Sequence, residues 1–133
     1  MSDNPEAALH AYIRAFEALD PEAALPFYHL PSMFIAPQGV FAAPDASTVR
    51  ALLAQFMDQL RAQAYRRTEL RGVEVRSLSA GLASCTGVFV RFNASGQEIA
   101  RPGFTYTMRK SDESWKIVVA TLHDPPTPAR SGG

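Results

Sequence analysis

Few side chains in this sequence are suited to chemistry. His123 and Asp124 stand together at the end of the last apolar run. A histidine beside a carboxylate is a candidate acid/base pair, because imidazole changes charge near neutral pH. Adjacent strand residues point to opposite faces, so at most one of the two enters a common site. An exposed or interfacial histidine is the simpler expectation. Tyr12 lies on the apolar face of the first helical pattern, and Tyr106 lies between Phe104 and Met108 at strand period. Either can be a core tyrosine with one hydroxyl partner or a hydrogen-bond donor to a ligand. Convergence on one cavity would favour the second role. Cys85 is the single cysteine and sits among apolar residues, which points to a buried, unreactive thiol. Arg91 alternates against Val88, Val90 and Phe92, so it is expected to leave the core face, where an interface salt bridge suits it better than anion binding. Arg101 stands in the next strand of the meander. His10 and His29 are scattered, and no spacing suggests a metal site. The chain contains no GxSxG, phosphate-loop, dinucleotide glycine or HExxH pattern, and no cofactor is expected.

The elements that must position these residues are readable from periodicity. Asn4 and Pro5 open a helix predicted to reach Leu19, with Leu9, Tyr12, Ile13, Phe16 and Leu19 on one face. Asp20-Pro21 starts a second, short helix ending near Tyr28. Ser32 to Ala36 reads as a strand, Pro37-Gln38-Gly39 as a turn and Val40-Phe41 as a returning fragment. Asp45 or Ser47 caps a third helix, predicted to end near Ala64, with Val49, Leu52, Leu53, Phe56, Met57 and Leu60 inward. Four strands follow: Thr68 to Ser79, Leu82 to Asn93, Glu98 to Lys110 and Trp115 to His123. Their short connections imply an antiparallel meander. The helices must bury their apolar faces against it, so the sheet curls around them.

The chain has 133 residues, which suits one core. The expected organisation is a single domain over residues 1–124 and a flexible tail over 125–133, rich in proline, glycine and serine. Thirteen basic and thirteen acidic side chains cancel, so no basic field exists to gather nucleic acid or an acidic membrane. There is no apolar run of about 20 residues that could span a bilayer. A cytoplasmic protein is expected.

The stretches AYIRAFEALDPEAALPFY, MFIAPQGV and GFTYTMRKSDESWKIVVATLHD, in this element order, resemble the NTF2-like superfamily. More narrowly, they resemble its SnoaL-like and DUF4440-like bacterial groups. The resemblance implies an α+β, cystatin-like cone, in which a curved antiparallel sheet wraps three N-terminal helices. It indicates activity poorly, because the superfamily includes isomerases, cyclases, dehydratases, binders and dimerisation domains. Laid on the ketosteroid isomerase pattern, Tyr12 falls on the tyrosine donor, Tyr106 on the second donor and Ala36 on the proton-shuttling carboxylate. Two donors remain and the base is missing.

The resulting expectation is a cone pocket for a small, mostly apolar molecule carrying one or two oxygens. Its candidate lining is Tyr12, Phe16, Phe34, Phe56, Leu60, Val88, Val90, Phe104, Tyr106 and Leu122. Two alternatives stay open. One is a SnoaL-like isomerase, cyclase or dehydratase using Tyr12, Tyr106, His123 or Asp124. The other is a dimerisation domain with a filled cone. A homodimer through the outer sheet face is expected, with Val73, Val75, Phe89 and Arg91 as candidates.

Overall fold

Residues 4–125 are described by a computed structural model. Pro125 aside, the expected tail lies outside the described residues. Helix α1 spans Pro5–Phe16, and the Asn4 side chain accepts a hydrogen bond from the Ala7 amide at its start. It stops three residues before the predicted end, because Leu19 adopts a left-handed φ of 53°. Helix α2, Pro21–Ala24, is capped by Asp20 and runs into a 3-10 turn over Leu25–Phe27. Helix α3 spans Ala46–Ala62, with Asp45 accepting from both the amide and the hydroxyl of Thr48. Its buried residues are Val49, Leu53, Met57 and Leu60.

Seven strands form one curled sheet: β1 (Tyr28–Ala36), β2 (Gly39–Ala43), β3 (Tyr65–Ser79), β4 (Leu82–Asn93), β5 (Glu98–Ala100), β6 (Gly103–Ser111) and β7 (Ser114–His123). The order is β2-β1-β7-β6-β4-β3, with β5 pairing beside β4. The meander is antiparallel, as its short loops require. The β1–β7 pairing is parallel, so the sheet is mixed. No loop length could forecast it, since these strands lie at opposite ends of the chain. Strand β1 begins four residues earlier than Ser32, and Pro31 falls where the β1–β7 register slips, at a position where no amide is needed. The strand expected over 98–110 divides into β5 and β6 around Arg101-Pro102. Proline supplies no ladder donor there.

Phe104, Tyr106 and Met108 of β6 are buried and face the helices. Their cross-strand partners on β4 are Gly87, Cys85 and Ala83, so the concave row of β4 continues through Phe89 and Arg91. Strand β4 is therefore turned over relative to the sequence reading. Val88 and Val90 belong to the opposite face, and Phe89 and Arg91 are only 3% and 7% exposed. The cause is local. Phe89 and Phe104 stack with ring centroids 4.1 Å apart. A Cβ at Gly87 would stand 2.9 Å from the Phe104 ring. Only glycine lets that ring settle over the strand.

Candidate functional site

The open end of the cone holds a cavity of about 640 Å³. Helix α3 contributes Leu52, Gln55, Phe56 and Gln59 to it, and β1 contributes Phe34, Ile35 and Ala36. Of the residues expected to line it, Tyr12, Phe34, Phe56, Tyr106 and Leu122 do so. Phe16 touches only a small void of about 20 Å³ behind it. Leu60 and Phe104 are packed in the core, and Val88 and Val90 face away, for the reason given for β4.

The floor is a group of three phenols. Tyr12 on α1 and Tyr106 on β6 come together, with ring centroids 6.4 Å apart. Tyr28, at the start of β1, joins them, and its hydroxyl shares a 2.5 Å hydrogen bond with that of Tyr12. Sequence reasoning missed Tyr28, because it placed this residue at a helix end. Burial raises all three phenols well above the usual 10.0. They are therefore neutral at physiological pH and act as hydrogen-bond donors, not as bases.

Arg91 lines both the cavity and the small void. Its guanidinium lies over the ring of Phe56 at 5.0 Å and that of Phe89 at 5.8 Å. Among the described residues it makes no ion pair, and its Nε, fully buried, has no hydrogen-bond partner. Burial lowers its pKa, and the neighbouring Tyr106, Tyr65 and Tyr12 oppose that shift. Burying an unpaired charge costs several kcal/mol. A cation–π contact returns about 0.5–2 kcal/mol, and arginine does not shed its proton to escape the cost. Arg101, at the cavity mouth, differs: Glu98 takes its Nε and Nη2 at 2.9 and 2.7 Å.

His123 and Asp124 reach the mouth. The His123 ring belongs to the face of Thr105, away from Tyr106. Its Nδ1–H donates to the Asp124 carbonyl oxygen at 2.7 Å, which leaves Nε2 to accept from the Thr105 hydroxyl at 2.9 Å. Both ring nitrogens are thus engaged, and the Asp124 side chain does not orient the imidazole. Ala36 lines the wall, and Asp124 is the one carboxylate-bearing residue among the described lining. Among the described residues no three His, Cys, Asp or Glu side chains gather for a metal. Among the described residues no helix is long and apolar enough to cross a membrane. Cys85 is buried with its Sγ 3.6 Å from the Met108 sulfur, and burial, with a smaller effect of Glu6, pushes its pKa up to about 11.

Solved structures share this cone. An NTF2-like protein with a cystatin-like fold from Novosphingobium aromaticivorans superposes with a TM-score of 0.72 at 16% identity, over 92% of this chain and 80% of the other. A protein named as a candidate dehydratase of the NTF2-like family, from Streptomyces avermitilis, gives 0.71 at 16%, over 92% and 94%. A protein named as a candidate aromatic ring hydroxylase, from Novosphingobium aromaticivorans, gives 0.70 at 15%, over 92% and 87%. At such identities the likeness is one of fold. No curated protein matches the sequence. The profile of a family described as NTF2-like protein (DUF6841) matches residues 3–125, nearly the whole chain. The chain belongs to that NTF2-like family.

Proposed function

We propose that this protein binds a small, mostly apolar molecule carrying one or two oxygen atoms, held in the cone cavity. The observation that carries this reading is the open 640 Å³ space, whose walls are largely apolar and whose floor presents the phenols of Tyr12, Tyr28 and Tyr106. Aromatic and aliphatic walls bury hydrocarbon, and a few convergent polar groups fix its orientation. The test is titration with a hydrophobic fluorescent dye. The wild type should bind one dye per chain. Leu52→Trp, which fills the cavity from α3, should abolish binding while leaving the circular dichroism intact. Dye binding that is absent in the wild type, or unchanged in Leu52→Trp, would end this reading.

The second reading is catalysis, favoured by one observation: buried neutral phenols are the groups that stabilise a developing oxyanion. The names of two structural neighbours, a candidate dehydratase and a candidate hydroxylase, agree with it in outline. It lacks a base, because Ala36 stands where the resemblance to ketosteroid isomerase would put one, and general-base catalysis contributes about two to four orders of magnitude. Binding is therefore the better-supported role. We also propose self-association through the outer face of the sheet.

A further inference from the structure

We propose that the ligand is a lipophilic acid whose carboxylate is received by Arg91 on the inner wall of the cavity. This rests on the reading of the cavity as a small-molecule site and names the chemical class that it takes.

Arg91 differs from the other arginines near the site. Arg101 is held by both Glu98 oxygens, and Arg67 and Arg71 are held by Glu69. Arg91 is more buried than any of them and has no counter-charge among the described residues. Glu17 is near at hand, but its Oε2 accepts from the backbone amide of Thr68, the cross-strand partner of Arg91, at 3.0 Å. The rings of Phe56 and Phe89 flank the guanidinium. A ring offers a cation its π face but no oxygen acceptor, so the hydrogen-bonding capacity of the guanidinium is left for a ligand. A planar fork of donors matches a carboxylate better than any neutral oxygen. The neutral phenols nearby can donate to the same anion. Asp124, the lining residue that would repel an acid, is exposed just past the end of β7, whereas Arg91 is buried. The remaining walls, including Phe34, Leu52 and Leu122, suit a hydrocarbon body.

The experiment compares decanoate with decanol, equal in chain length, by dye displacement and calorimetry on the wild type, Arg91→Gln and Arg91→Lys. Wild type should prefer decanoate by roughly 10- to 100-fold, the worth of charge-assisted hydrogen bonds. Arg91→Gln should remove that preference while leaving decanol affinity within about twofold. Arg91→Lys should retain part of it, since a lysine keeps the charge without the fork. Equal affinity of the wild type for the two ligands would overturn the acid assignment and leave the cavity reading standing. Failure of both ligands to bind the wild type, with no dye displaced by either, would overturn both. The comparison within the wild type decides the matter even if a variant fails to fold.

Discussion

Three phenols packed on one floor tie the stability of the protein to pH. Tyr12, Tyr28 and Tyr106 all have pKa values raised well above 10.0, mainly by burial, and Tyr65 is raised as well. An acid whose folded pKa is raised keeps its proton in the native state after the unfolded chain has lost it. Its contribution to stability is complete below the unfolded pKa and is lost as pH climbs above it. These are all four tyrosines of the chain. Stability should therefore be insensitive to phenol ionisation up to about pH 10 and fall steeply beyond it. Phenolate absorbance should appear together with loss of the far-ultraviolet helix signal, in one cooperative step. Full phenolate absorbance near pH 10 with native circular dichroism would show that the phenols are open to solvent. Tyr12 and Tyr106 were legible one at a time as candidates. Their partner Tyr28 was not, because nothing local in Pro-Phe-Tyr-His reveals that β1 begins there.

Strand β4 decides which side chains the cavity receives, and Gly87 decides how β4 lies. At that residue a methyl group would meet the Phe104 ring at 2.9 Å and the Arg71 carbonyl oxygen at 3.0 Å. The backbone at Gly87 does not need a positive φ, so the constraint is close approach alone. Gly87→Ala should cost about 1–3 kcal/mol, the usual range for overpacking a filled core. It should also weaken ligand binding, since Phe104 abuts both Phe89 and Tyr106. Urea denaturation of the purified variant measures the first effect, and an unchanged midpoint would show that Phe104 yields freely. The same residue explains where sequence reading stops. Caps at Asn4, Asp20 and Asp45, and the hairpin loops of the meander, are local signals and were readable. Alternation along Val88-Phe89-Val90-Arg91 separates two faces without saying which is inward, and a one-residue slip exchanges them. An arginine in one row made that row look external. A glycine inside a strand marks close backbone approach, and Gly87 was the available sign that the row of Phe89 and Arg91 packs inward. The parallel β1–β7 pairing had no local sign at all.

At the scale of the whole molecule, the helices cover one face of the sheet and leave the other open. Phe89 and Arg91 belong to the covered side, and Val75 pairs with Cys85 of that same row, so the outer face has a different composition from the one first expected. Its centre is built by register: Thr86 stands opposite Thr105, Thr105 opposite Thr121, and Thr107 opposite Val119, with Val88 beside them. These residues are uncharged, and each is only partly exposed. A solvated sheet face ordinarily alternates to charged and polar side chains. Here charge runs along the edge strand β3, at Glu69, Arg71, Glu74 and Arg76, and stands at one end of the central strands, at Arg109 on β6 and Lys116 on β7. An uncharged, largely β-branched surface across three central strands suits a second copy of itself, because an isologous contact needs only self-complementarity. The net formal charge of zero adds no repulsion. A stable dimer of this kind buries on the order of 1,200–2,000 Å² in total. Light scattering at micromolar concentration should therefore give twice the chain mass. Thr107→Arg places a charge at the centre of the face without touching the cavity, and should return the protein to a monomer with its dye binding retained. A wild type that is monomeric throughout the micromolar range would refute the dimer, whereas a Thr107→Arg variant that remains dimeric would move the contact to another surface.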